Sequence, residues 1–547
     1  MKRLVLLAVF TMASWAAGLQ AADTLRIHNT VLPVMPDRDY NVVAEFCIDN
    51  TDAADITVNE VKVKLGGNLL ESAVRNVSLV YTGTMSALYS KTTSYVIKDA
   101  FYRIGASQRI YCNPGYSILK YSGKPSDDGT VGLTADQKLV KGKNWFYISV
   151  SVDSRHIEDL TDTFSLEVTD VRINGQTCGI VQEGPSVHRL GIALRDHGDD
   201  GVWSYRIPGL ATSNAGSLIA VYDVRHASTL DLQDNIDVGM SRSTDGGHTW
   251  EPMKVIMDMG QWGGLPDAQN GIGDPSVLVD ETTGEIFVVA VWTHGLGNDR
   301  AWNQVGSGFE PQETAQMMIV SSKDDGKTWS EPRNITRQVK QESWRFTLQG
   351  PGRGITMSDG TLVFPIQYVD STRVPNAGIM YSIDHGKTWH CHGHAWTNTT
   401  EAQVAEISPG ILMLNMRNNR RTGRIVSTTA DLGKTWELHP SSEKLREPVC
   451  MAGLLMVPAA ENSLGKDILL FSNPDTTQGR NHLTIKASLD EGNTWLPENS
   501  LLLDEEEGWG YSCLTMVDED TVGILYEGST SQLVFQTVKL EDIISLK

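Results

Sequence analysis

One octapeptide pattern constrains the chain more than any other feature. Ser/Thr-x-Asp-x-Gly-x-Thr-Trp occurs at Ser243–Trp250, Ser322–Trp329, Ser382–Trp389, Thr429–Trp436 and Ser488–Trp495, with Trp-to-Trp steps of 79, 60, 47 and 59 residues. Each match has the chemistry of a hairpin turn. Asp and Gly take the special backbone angles, and the Asp side chain accepts backbone hydrogens. Thr and Trp then enter the next strand, where the indole covers the apolar side of the hairpin. Repeats of about 40 to 60 residues, each one supersecondary unit, are blades of a propeller. The octapeptides themselves read as fold elements that touch no ligand.

The rest of the chain agrees. Short β-rich runs recur between Gly, Asp, Asn and Pro clusters, among them Val42–Ile48, Phe164–Ile173, Leu218–Val224, Ile286–Trp292, Leu362–Tyr368 and Val522–Tyr526. This is an all-β pattern. At 547 residues the chain is too long for one ordinary core. Its halves differ: residues 23 to about 180 hold only Trp145, whereas twelve of the 14 tryptophans lie beyond residue 190. The expected organisation is an N-terminal β-sandwich at 23–182, a linker at Glu183-Gly184-Pro185, and a larger propeller domain at 190–547.

Lys2-Arg3, the apolar run Leu4–Phe10 and small residues up to Ala21-Ala22 predict a signal peptide at 1–22, hence a secreted or periplasmic protein. No stretch is apolar for long enough to span a membrane. Six cysteines in so long a chain do not make a disulfide scaffold. The net charge of −21 argues against nucleic acid as a partner, which needs clustered positive charge. A few arginines in one pocket remain compatible with a small anionic ligand. No phosphate-binding Gly loop, nucleotide fingerprint or Ser–His–Asp context is found. His390, Cys391, His392 and His394 follow an octapeptide Trp, where a surface strand is the better reading than a metal site. No metal, cofactor or obligate protein partner is implied.

The octapeptides resemble the Asp boxes of sialidase-type propellers. At the head of the domain, Tyr205-Arg206-Ile207-Pro208 resembles the Arg-Ile-Pro motif of the bacterial exo-sialidases, glycoside hydrolase family 33. The resemblance covers roughly residues 190 to 547 and implies a six-bladed propeller that cleaves terminal α-linked sialic acid from sialylated glycans; a sialyl-transferring or anhydro-forming enzyme and a non-catalytic glycan-binding propeller stay open as alternatives. In that family three arginines clamp the sugar carboxylate, a Tyr–Glu pair supplies the nucleophile and an Asp is the acid/base.

Carried over residue by residue, Arg206 matches the first clamp arginine. Arg417, in Asn415-Met416-Arg417-Asn418, matches the second, and Arg480, after Gly479, the third. Arg420, Arg421 and Arg424 are expected to be solvated. Tyr511, in Gly508-Trp509-Gly510-Tyr511-Ser512, matches the nucleophile. Glu401 matches its partner, with Glu406 as rival. Asp231 matches the acid/base, with Asp234 and Asp237 as rivals. Arg225 resembles a further pocket arginine, Asp274 an aspartate that contacts ring substituents, and Glu527 a glutamate that holds the first clamp arginine. The residue types suit the chemistry. Guanidinium forks bind a carboxylate bidentately and stay charged. A neutral phenol avoids the repulsion that a carboxylate nucleophile would meet at a centre already bearing a carboxylate, provided a base takes its proton. For the N-terminal module two roles stay open: binding carbohydrate, or packing on the propeller and shaping its site.

Overall fold

In this computed structural model the described residues are 24–69, 73–84, 119–184, 186–297 and 299–545. The expected signal peptide, Cys112 and Pro185 lie outside them. Strands dominate, and the α-helices among the described residues, Ala301–Gln304, Thr336–Val339 and Leu540–Ile543, are single turns.

The chain divides into two compact units. The first holds Asp37–Ile157, Thr163–His188 and the strand Leu25–Asn29; the second runs from Arg189 onward and includes Val31–Pro36 and Glu158–Asp162. The first unit is built of a six-stranded and a five-stranded sheet. Its strand Thr130–Lys138 alternates buried and exposed positions, the pattern of a sheet with one face to the core and one to water. Phe46 and Phe146 stack inside it at 4.9 Å. Glu183 is not in a linker: it ends the strand Ile180–Glu183, which pairs in parallel with Leu25–Asn29.

The second unit is six sheets, each of at least four strands. Their strands are buried differently. Leu218–Arg225 and Ile286–Trp292 are buried at every position, because a blade is covered on both faces by its neighbours. The covering clusters mix residues of adjacent sheets: Val221 and Met240 with Val288, Ile319 with Phe364, Ile379 with Val404, Met413 with Phe471, and Ile485 with Ile524. Each such side chain contributes about 1.5–3 kcal/mol on burial.

The octapeptides join the third strand to the fourth in five sheets. In the second, Asp324 Oδ1 accepts from Ser322 Oγ at 2.9 Å and Thr328 N at 2.8 Å, and Oδ2 accepts from Thr328 Oγ1 at 2.6 Å. These bonds, those of Thr328 foremost, hold the Asp324 carboxyl down at about 2. The indole Nε1 of Trp250, Trp329, Trp436 and Trp495 donates to the carbonyl of the box glycine. Trp389 departs from this: it is fully buried against Phe287 and Phe364.

The sixth sheet has no box because it has no such turn. Its strands are Ser512–Met516, Thr521–Tyr526, Leu533–Lys539 and, as the outer fourth, Ile192–Arg195 from the start of the unit. The ring of first strands meets at the same place, where Leu210 N donates to Cys513 Sγ at 3.2 Å.

Candidate active site

The expected site residues lie at one end of the sheets. Arg206, Asp274 and Glu401 stand near the starts of the first strands Ser204–Thr212, Ile272–Val279 and Thr399–Ser408, and Tyr511 immediately precedes Ser512–Met516. Second strands run back, so their ends return to this side: Arg225 ends Leu218–Arg225, Arg417 lies one residue from the end of Ile411–Asn418, and Glu527 follows Thr521–Tyr526. Asp231 and Arg480 sit in loops after second strands. The boxes follow third strands and face the other way. Pairing register shifts at Arg206/Gly209, Gly273/Ser276 and Thr399/Ala402, so a bulge accompanies a site residue in each of these first strands. Two bulges place the residue before a proline in the left-handed region, Ile207 at φ 62° and Asp274 at φ 56°. Such backbone costs on the order of 1–3 kcal/mol and persists only where surroundings hold it.

Tyr511 and Glu401 meet directly. The phenol O–H donates to Glu401 Oε1, and Arg417 Nη1 donates to Glu401 Oε2 at 2.6 Å and to the phenol oxygen at 3.1 Å. Burial, then the Glu401 carboxylate, pushes the phenol well above its ordinary value, against Arg417 and Arg480. The hydroxyl therefore keeps its proton at neutral pH until a base removes it, and Glu401 is in place to do so.

Glu527 organises the adjoining wall. Its Oε1 accepts from Arg206 Nε at 2.9 Å and Ile207 N at 3.0 Å; its Oε2 accepts from Arg206 Nη2 at 3.3 Å and Tyr511 N at 3.1 Å. Burial opposes the charge on Arg206, but Glu527 and Asp231 more than offset it and raise its pKa. Its guanidinium stacks on Trp509, 4.4 Å from the ring centroid. Arg480 lies 5.5 Å from the Tyr511 ring and donates to the Trp509 carbonyl at 2.8 Å. Unlike Arg206 and Arg417, it forms no ion pair among the described residues.

Asp231 is 58% exposed, accepting from Arg225 Nη1 at 2.9 Å and Arg206 Nη1 at 3.5 Å. Desolvation acts to raise its pKa, but Arg225 and Arg206 win and hold the carboxyl below its ordinary value. Asp274 is pushed well above that range, by burial first and then by Asp223 and Asp231. Three guanidinium groups thus surround a neutral phenol and its base, with one exposed carboxylate, Asp231, beside Arg206 and Arg225. The arrangement suits an anionic ligand attacked by the phenol.

Residues 217–524 match the model of the BNR repeat-like domain, and residues 22–177 match the N-terminal domain of BNR-repeat neuraminidase. A sialidase of Bacteroides fragilis is 50% identical over 546 residues, covering 99% of both chains. The chain belongs to the sialidase family. It is thereby a glycoside hydrolase on an all-β propeller with an N-terminal β-sandwich. Among solved structures, a Hadza microbial sialidase is 48% identical with a TM-score of 0.86, over 95% of this chain and all of that one. The intramolecular trans-sialidase of Ruminococcus gnavus, at 19% identity and a TM-score of 0.54, shares the fold over 63% of this chain and 96% of its own.

The structure brings all nine expected site residues of this sialidase together and separates them from their rivals. Glu406 lies at the far end of its strand, accepting from Ser358 and Gly410. Asp234 is taken up by Ser228 and Asp237 by His226. Arg424 is the clear correction: it is fully buried, not solvated. It pairs with Glu447 at 2.9 Å, and Glu447 Oε1 accepts from Asn418 N at 2.7 Å, next to Arg417. The strand carrying Arg417 is therefore pinned from behind. Among the described residues no group of three or more His, Cys, Asp or Glu stands close enough to hold a metal. His390 is exposed on the short strand His390–Cys391, and His392 Nε2 shares a hydrogen bond with Tyr381.

Two contributors escape the sequence reading. Trp509 supplies the ring under Arg206 and the carbonyl for Arg480. Asp223, buried, accepts from Arg225 Nε at 3.1 Å and Nη2 at 2.9 Å, and from Asp274 N at 2.8 Å. A signal for Asp223 exists: spaced two residues from Arg225 on one strand, it shares that residue's face.

Proposed function

We propose that this sialidase hydrolyses terminal α-linked sialic acid from glycoproteins, glycolipids and oligosaccharides, with net retention through a tyrosyl-glycosyl intermediate. The observation that carries the reading is the Tyr511–Glu401 hydrogen bond inside the arginine cluster. Arg206, Arg417 and Arg480 receive the sugar carboxylate. The phenol oxygen attacks the anomeric carbon as Glu401 takes its proton. Asp231 protonates the leaving oxygen and afterwards activates water. Held low in the free protein, Asp231 needs a reason to carry a proton. The substrate carboxylate supplies it, by adding negative charge near Asp231 and drawing on Arg206. Asp274, whose pKa burial and then Asp223 and Asp231 push well above the usual range, is available to bond a ring substituent. Support for the substrate class comes from the donor set itself and from relatives named sialidases.

The test is a sialyl aryl glycoside followed by proton NMR. The α-anomer of free sialic acid forms first, and Tyr511→Phe loses the activity. A β-first product, or a Tyr511→Phe variant at near-wild-type rate, overturns the mechanism. An anhydro product, or transfer to added lactose, would show a transferring enzyme on the same residues. We also propose export, with residues 1–22 removed, which N-terminal sequencing of the mature protein checks.

A further inference from the structure

We propose that a groove on the second sheet is a second carbohydrate site, one that takes neutral pyranose sugars. The groove encloses about 450 Å³ and is lined in part by Trp262, Phe309, Gln312, Gln316, Arg337 and Gln338, none of them a residue of the site described above. This is within the size range of pockets that hold small organic ligands.

Trp262 is presented rather than left over. It is 38% exposed, yet its ring is fixed edge-on by Trp292 at 5.0 Å and His294 at 4.6 Å. Its loop turns on Gly260, Gly263 and Gly264, all at positive φ, and a Cβ at Gly263 would meet His294 Cε1 at 2.8 Å. A rigid, half-exposed indole beside a cavity suits the C–H face of a pyranose, which is apolar, while the ring's hydroxyls need amide partners.

The groove has the amides. Gln316 is locked as wall, its Nε2 donating to the Phe309 and Thr314 carbonyls at 3.0 and 2.9 Å. Gln338 Oε1 accepts from Trp389 N at 2.8 Å, which fixes the side chain and leaves its NH₂ group as donor. Gln312 is exposed. The charges cancel: Arg337 stacks on Phe309 at 4.7 Å and pairs with Glu310. A neutral ligand fits this balance, where the arginine cluster fits an anion.

The experiment titrates the full-length Tyr511→Phe protein with lactose and with a linear tetrasaccharide of galactose and N-acetylglucosamine, by calorimetry and by tryptophan indole NMR. Binding is read without turnover, so its failure is distinct from failure of the sialidase mechanism. Saturable binding is expected, weakened about tenfold by Trp262→Ala and measurably by Gln338→Ala. In the Tyr511 background both variants should hydrolyse a sialyl aryl glycoside at wild-type rate, which certifies their fold. No saturable binding of either sugar, or equal binding by the two groove variants and their parent, overturns the proposal.

Discussion

Glu527→Gln isolates the part that buried charge plays in holding the first clamp arginine. Glu527 and Arg206 are 0% and 6% exposed, so water cannot replace a lost partner. The carboxylate accepts four N–H groups, two on each oxygen. An isosteric amide keeps one accepting oxygen and turns an NH₂ toward two donors. Removing one partner of a buried ion pair costs about 3–5 kcal/mol. The second unit spans roughly 360 residues from Arg189, and unfolding entropy is about 2.1 cal/mol/K per residue, so the melting temperature should fall by about 4–7 °C. Scanning calorimetry reads this directly. Because Oε1 holds both the Arg206 side chain and the Ile207 backbone N–H, and Oε2 the Tyr511 N–H, the variant should also lose kcat/KM on an aryl sialoside. A Glu527→Gln protein that melts within a degree of wild type with unchanged kinetics would refute the account of Glu527 as the organiser of this wall.

Other outcomes follow from neighbouring features. Arg480→Lys, lacking an internal ion pair to break, should leave the melting temperature nearly unchanged yet lower kcat/KM about 10- to 150-fold, for loss of one charge-assisted bond of about 1.5–3 kcal/mol. His188 is buried, stacks on Phe164 at 5.0 Å, and burial pulls its pKa down to about 4. The unfolded chain then binds the extra proton, so stability falls as pH drops from about 6.5 to 4, by on the order of 3 kcal/mol. His188→Phe should flatten that part of a melting-versus-pH curve. Asp431 accepts from Thr429 and Thr435 in the fourth box, and the Thr435 bonds lead in lowering its carboxyl to about 2. Its contribution is full above about pH 4 and fades toward pH 2. Asp431→Ala should therefore lower the melting temperature at pH 7 more than at pH 2, with kcat untouched.

The sequence made the propeller legible through turns, and the site through short motifs, for different physical reasons. Second strands such as Ile286–Trp292 are largely apolar runs, because both faces are covered, and they stand out as such. The first strands do not. Ser204–Thr212 contains Arg206, Pro208 and Gly209, and Ile272–Val279 contains Gly273, Asp274 and Pro275, composition that periodicity reads as loop. Those same irregularities are the bulges that aim Arg206 and Asp274, so two strands that are hard to see each carry a site residue. Arg424 is not legible as buried because an arginine beside Arg420 and Arg421 looks solvated, and its buried partner Glu447 lies 23 residues away. Trp509 sat in view, but nothing local to Gly508-Trp509-Gly510 points to an arginine three hundred residues upstream.

The closing of the ring by Ile192–Arg195 has a consequence for synthesis. Until Leu533–Lys539 has left the ribosome, that early strand has no partner, and an unpaired edge invites association with other chains. Tyr511 and Glu527 flank strands of the same late sheet, so Arg206 and Arg417 emerge well before the groups that use and restrain them. A nascent chain stopped after Met516 would already contain every arginine of the clamp and the nucleophile, yet neither the restraint on Arg206 nor a closed circle to hold them in. The site in this fold is thus complete only once the sixth sheet has been made and has taken up Ile192–Arg195.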